Sequence, residues 1–161
     1  MSVKIINNGG FIDTSVKIIG SGTITIGKGS EIRANTIIEI SSGELILGDY
    51  SVIGYFSFIQ CSGKLKIGKG SLLGPSVTYV TSSHPINEKP LISQPLLRGS
   101  IEIGDNVWLG ANITVGYNTI INDNAIIGAN SFVNKNVPKN EIWGGVPVKK
   151  LKDRVWKFYS T

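Results

Sequence analysis

At 161 residues the chain is long enough for one domain with a real core, and no apolar run approaches the length of a membrane span. Its single cysteine, Cys61, excludes an internal disulfide framework, and a low charge content (17%) with abundant Ile and Gly fits a tightly wound β structure better than a helical bundle. The net charge of +5 is concentrated at Lys135, Lys139, Lys149, Lys150, Lys152, Arg154 and Lys157, a bias toward acidic or phosphorylated partners. No nucleic-acid-binding motif accompanies it.

From the start, Met1 to Lys4 leads straight into Ile5 and Ile6 with no secretory pattern, so a reducing, cytoplasmic setting is expected. Branched aliphatics then recur every six residues. The openers are Ile26, Ile32 and Ile38, then Leu47, Ile53 and Ile59, then Ile67, Leu73 and Tyr79. After an interruption the pattern resumes at Ile103, Leu109 and Val115, then Ile121, Ile127 and Val133. Six is a multiple of two, which suits strand alternation, but a flat strand cannot run the length of a domain. A coil of three short strands per turn satisfies both demands, with the openers pointing inward and each stacking on its counterpart about 4.8 Å away in the next coil. Gly104, Gly110, Gly116 and Gly128, with Asn122 and Asn134 as equivalents, are expected at corners where the backbone needs unusual angles.

Taken in threes, the openers begin coils near Ile6, Ile26, Leu47, Ile67, Ile103 and Ile121. The early coils run a few residues long. Gly20-Ser21-Gly22, Ser42-Gly43 and Ser62-Gly63 read as one small turn insertion repeated along one edge. The N-terminal coil is the weakest match and is expected to cap the stack. Cys61 reads as a small buried hydrophobe rather than a nucleophile.

Between Tyr79 and Ile103 the register breaks, and the only histidine, His84, lies at the break. Leu91 and Leu97 would continue the repeat, but Pro85 and Pro95 would then occupy packing positions that strands disfavour. A protruding loop from about Ser82 to Gln94, rejoining the coil by Leu97, is the better reading. Past the repeat, Leu151, Val155 and Phe158 fall at i, i+4 and i+7 beside Trp156, which predicts a short C-terminal helix after Pro147. Two segments follow: a coil over residues 1–147 and a helical tail over 148–161.

Ser83-His84-Pro85, the run from Ile103 through Val107-Trp108-Leu109-Gly110-Ala111, and Gly144-Gly145-Val146-Pro147 resemble the hexapeptide-repeat acyltransferases, particularly the galactoside and maltose O-acetyltransferases and related polysaccharide O-acetyltransferases. The resemblance implies an all-β, left-handed parallel β-helix and a homotrimer with sites between subunits. It also implies acetyl-CoA as acyl donor. His84 matches the catalytic histidine, and an imidazole titrating near pH 6.5 suits proton removal from an alcohol. Trp108 matches the tryptophan that lies against the coenzyme. By the same match Ala111 and Ala129 line the pantetheine channel, and Lys135 and Lys149 meet phosphates.

Where several relatives place an asparagine, this chain has the aromatic run from Tyr55 to Phe58, so acceptor contacts are assigned to Ser57, Gln60, Asn87 and Glu88. Tyr55, Phe56 and Phe58 could form a shelf for a sugar ring or pack at a subunit contact. The resemblance supports transfer to a carbohydrate hydroxyl, with N-acetylation of a nucleotide-linked amino sugar as the alternative. A non-catalytic structural solenoid is a third reading. A zinc site of the carbonic-anhydrase type within this fold needs three histidines, and one per chain cannot supply them, so no metal is expected.

Overall fold

The computed structural model describes residues 2–86, 90 and 93–155. Over these the chain is a parallel β-solenoid with three faces. The first face is built by the strand ends at Ile26, Leu47, Ile67, Ile103 and Ile121, which are hydrogen-bonded neighbours in that order. The second stacks Ile12, Ile32, Ile53, Leu73, Leu109, Ile127 and Trp143. The third stacks Ile18, Ile38, Ile59, Tyr79, Val115 and Val133. Each aligned opener from Ile26 to Val133 is buried, as the six-residue spacing requires. A fully buried Ile or Leu contributes about 1.5–3 kcal/mol, so these ladders are the main source of stability.

The long strands Lys17–Ile26 and Ile37–Leu47 run across one corner and join the first and third faces into a single ten-stranded sheet. The repeated Ser-Gly insertion lies on that corner: Gly22 pairs with Gly43, and a Cβ on Gly43 would come within 2.8 Å of the Gly63 carbonyl oxygen. Only glycine permits such stacking. At the N-terminus the register is shifted by one residue from the sequence reading. Asn7, not Ile6, pairs with Ile26 and Ile5 aligns with Ile24, and both Ile5 and Ile6 are exposed at this end of the stack.

Corner chemistry also differs from expectation. The residues with positive φ are not the glycines that follow the openers but the residues two further on: Asn106 (54°), Asn112 (56°), Asn118 (55°), Asn124 (61°) and Asn130 (57°). Asn tolerates the left-handed conformation because its short side chain hydrogen-bonds locally. The glycines serve a different need. A Cβ on Gly110 would stand 2.7 Å from the Ala129 amide nitrogen of the next coil, so the coils can stack only with nothing there.

Two further expectations are corrected at the end of the repeat and around the loop. The coil resumes at Ser100–Ile103, which pairs with Lys64–Ile67; Leu97 instead belongs to the stem of the loop and is exposed. The tail over Lys149–Asp153 is a strand, not a helix, and runs antiparallel to Glu141–Gly144. The reason is hydrogen bonding: Glu141–Gly144 ends the second face and offers an open edge, which the reversed strand satisfies. The i, i+4 pattern had no apolar surface to cover it, and Leu151 and Val155 remain exposed. Pro147, expected to open a helix, follows a cis peptide bond in the turn between the two strands. Trp156 and Phe158 lie outside the described residues. No helix among those described is long and apolar enough to cross a membrane.

Candidate active site

The interruption is a stalked excursion from the third face. Strand Thr78–Val80 is followed by Thr81, and then Ser82–Ser83 pairs antiparallel with Leu97–Arg98. The Gly99 amide donates to the Thr81 carbonyl at 2.9 Å and closes the base of this stem. The buried Thr81 hydroxyl accepts the Ser62 and Gly63 amides at 2.9 and 3.0 Å, fixing the stem to the coil beneath. Arg98 lies alongside, its Nη1 donating to the Ser41 and Ser62 carbonyls at 2.6 Å each.

His84 is the first residue beyond the stem and is exposed. Among the described residues its imidazole has no hydrogen-bond partner, which leaves both ring nitrogens available to a bound molecule. Asn87 and Glu88, the predicted acceptor contacts, lie outside the described residues.

Trp108 is on the second face, 54% exposed, between Leu72 and Ile126 of the adjoining coils. It borders a hollow of 220 Å³ with Arg33, Val52, Leu72, Leu73 and Gly74. The Arg33 guanidinium is 5.3 Å from the Tyr55 ring centroid and pairs with Glu31 at 3.0 Å. His84 and Trp108 thus project from different faces of one chain.

The remaining predicted residues divide. Ala111 and Ala129 occupy equivalent positions one coil apart at the corner between the second and third faces, where the Ala111 carbonyl accepts the Asn130 amide at 3.0 Å. Beside them is a hollow of 340 Å³ bounded by Asn112, Thr114, Asn130, Ser131, Phe132 and Val146. Lys135 and Lys149 are both exposed, Lys149 at the start of the final strand. Ser57 is buried and donates to the Gly54 carbonyl at 2.9 Å, so it holds a corner and is turned away from any acceptor. Gln60 is also engaged internally: its Nε2 donates to Ser62 Oγ at 3.0 Å, and Ser82 Oγ donates to its Oε1 at 2.9 Å.

Tyr55 and Phe56 are exposed, whereas Phe58 is half-buried. Burial pushes the Cys61 thiol above its ordinary range, which keeps it protonated and unreactive. Among the described residues no group of three His, Cys, Asp or Glu side chains could hold a metal ion. Sequence reasoning missed Thr81, Ser82 and Arg98; the hydroxyl run before His84 was the one available signal.

Comparison with known proteins adds three findings. Residues 100–135 match the bacterial transferase hexapeptide model, which covers six repeats. A sophorolipid acetyltransferase of Starmerella bombicola is 44% identical over 113 residues, covering 70% of this chain; the chain spans 42% of that relative's length. Among solved structures, a maltose O-acetyltransferase from Clostridium difficile 630 matches 94% of this chain and 70% of its own at TM-score 0.67 and 22% identity. A variant of AntD, an N-acyltransferase from Bacillus cereus in complex with dTDP-4-amino-4,6-dideoxyglucose and coenzyme A, matches 95% of this chain and 84% of its own at TM-score 0.76 and 22% identity. At such identities the structural likeness is one of fold.

Proposed function

We propose that this chain, which carries the bacterial transferase hexapeptide repeat over residues 100–135, is an acetyl-CoA-dependent O-acetyltransferase acting on a carbohydrate hydroxyl. The observation that carries the reading is the position of His84: the only histidine, exposed, unpartnered among the described residues, and mounted on a pinned stem at the only long break in the repeat. The sophorolipid acetyltransferase relative supports the acyl-transfer class.

In this mechanism the His84 imidazole takes the proton of the acceptor hydroxyl as its oxygen attacks the thioester carbonyl carbon. The carbonyl becomes a tetrahedral oxyanion, for which backbone N–H groups are the natural stabilisers. Collapse breaks the carbon–sulfur bond, and the imidazolium returns its proton to the departing thiolate. The products are the acetyl ester and free coenzyme A, with no acyl-enzyme. The AntD complex supports a coenzyme site on this fold. Trp108 would lie against the pantetheine arm, Ala111 and Ala129 would leave room for it, and Lys135 and Lys149 would meet its phosphates. Because His84 and Trp108 project from different faces, the complete site is assigned to the seam between chains of a homotrimer. The free Cys61 fits a reducing cytoplasm, where an intracellular step in surface-polysaccharide synthesis would take place.

Transfer to an amine of a nucleotide-linked sugar is the second reading, supported by the amino-sugar nucleotide in the AntD complex. The deciding experiment measures free thiol released from acetyl-CoA with maltose, a sophorolipid or dTDP-4-amino-4,6-dideoxyglucose as acceptor. Acceptor-dependent release is expected to fall about 10²–10⁴-fold in His84→Ala with an unchanged melting temperature. Equal rates in both proteins would overturn His84 as base. If none of the three acceptors responds and acetyl-CoA fails to bind, the non-catalytic solenoid takes the place of this reading.

A further inference from the structure

We infer that Gln60 is the positioning residue of His84: its side-chain amide, held between Ser62 and Ser82, sets the direction of the stem that carries the imidazole. The inference rests on the reading of His84 as base and assigns Gln60 a role apart from acceptor binding. The stem has only two residue pairs, Ser82 with Arg98 and Ser83 with Leu97, and so short a ribbon cannot hold its own direction in water. Three attachments to the coil beneath hold it instead.

Thr81 and Arg98 grip the stem's root through backbone groups of the Ser-Gly turns at Ser41, Ser62 and Gly63. Gln60 alone among the described residues grips the side chain of Ser82, two positions before His84. It stands beside Val80 in the register of the third face, directly below the point where the chain departs. Ser62 and Ser82 are themselves buried, so their hydroxyls have no water to replace the amide. Both ends of the amide are engaged, one N–H with Ser62 and one oxygen lone pair with Ser82, which fixes the orientation of the side chain on the coil. At roughly 3.3 Å per extended residue, a tilt of the stem by about 10° moves the imidazole by on the order of 1 Å. A displacement of that size is enough to cost about 10²-fold in rate.

The test uses the fact that the chain has one histidine. Isotopic labelling of histidine gives a single imidazole signal set by NMR, read in the full-length protein without coenzyme or acceptor. Gln60→Ala is expected to shift or broaden that signal. It should also lower kcat about 10–100-fold with whichever of the three acceptors responds, while KM for acetyl-CoA changes less than about twofold. Gln60→Glu should restore both readouts, because two carboxylate oxygens can accept from the Ser62 and Ser82 hydroxyls.

If Gln60→Ala fails to fold, Ser82→Ala removes the same bond by deleting one oxygen and carries the test. An unchanged imidazole signal in the folded variant, no recovery with Gln60→Glu, or a shifted signal with unchanged kcat would each overturn the role. Loss of the transferase reading is distinguishable, since it would leave no acceptor-dependent thiol release in the wild type while the imidazole signal still reports on Gln60.

Discussion

The C-terminal coils and the central coil turn the same corners with different side chains. In the C-terminal coils the left-handed positions are Asn106, Asn112, Asn124 and Asn130, and their amides form ladders: Asn106 Nδ2 donates to Asn124 Oδ1 at 2.9 Å and Asn112 Nδ2 to Asn130 Oδ1 at 2.7 Å. The corresponding positions of the central coil hold Tyr50 (φ 58°) and Phe56 (φ 57°), which make the same backbone bonds to Lys28 and Ala34 but leave rings 60% and 63% exposed. A bulky residue is a poor choice for that conformation and gains no ladder in return. The backbone path is therefore dictated by the solenoid, while the side chain at a corner can be chosen against local preference. The Tyr50 ring lies against Gly29 of the preceding coil, and Phe56 borders a hollow of 290 Å³ with Ser15, Lys17, Asn35 and Ile37.

Steric fit between coils should dominate any mutational comparison of these regions. Gly110→Ala places a methyl against the Ala129 backbone, whereas on Gly128 the nearest atom to a new Cβ is 3.7 Å away. Urea denaturation should show a loss of about 1–3 kcal/mol for the first and little change for the second. Equal losses would mean that the glycines matter for backbone freedom after all.

A smaller effect should separate the two kinds of corner directly. Asn112→Ala is expected to lose about 1–2 kcal/mol, from left-handed strain and the broken ladder, and Phe56→Asn to gain a few tenths to about 1 kcal/mol. A destabilised Phe56→Asn would show that the exposed ring supports the fold and would remove the contrast. The smallest effect belongs to the closing hairpin. Hydrogen bonds from Lys150 and then Trp143 hold the Glu141 carboxyl below its ordinary value of 4.5. A depressed carboxyl stabilises the folded state above that ordinary value, and the contribution fades as pH falls through the lower, folded one. The melting temperature should therefore be slightly lower for Glu141→Gln than for wild type at pH 7, with the two converging as pH falls below the lowered value of the folded carboxyl.

The inward ladders were legible because burial acts on every sixth residue alike, and each opener from Ile26 to Val133 fell on its correct neighbour. What was illegible depends on neighbours one coil away. The unusual corner angle was assigned to the glycine of the unit and belongs to the asparagine two residues on, because spacing does not say whether a missing Cβ serves an angle or a contact. The tail from Lys149 read as helical because periodicity reports a face but not whether an open strand edge is waiting for it. His84 was visible as a lone imidazole at a break, and the break proved to be a stem with Leu97 on it. Gln60 and Ser57 looked alike as acceptor contacts. The bond that engages Gln60 comes from Ser82 in the next coil and has no local signature, whereas the Ser57 bond to the Gly54 carbonyl is local and repeats at Ser30 with Gly27, Thr119 with Gly116 and Ser131 with Gly128.

The reversed strand Lys149–Asp153 has a consequence for how copies of this molecule can meet. A parallel solenoid is a template: its last coil offers the same spacing and apolar ladder that each earlier coil offered to its successor. On the second face that template is occupied by a strand of opposite direction carrying Lys149, Lys150, Lys152 and Asp153, all exposed. A parallel strand arriving at this edge would meet a strand of the opposite direction that carries these charged side chains. The hairpin therefore works against addition of a further parallel strand to the Glu141–Gly144 edge of the second face.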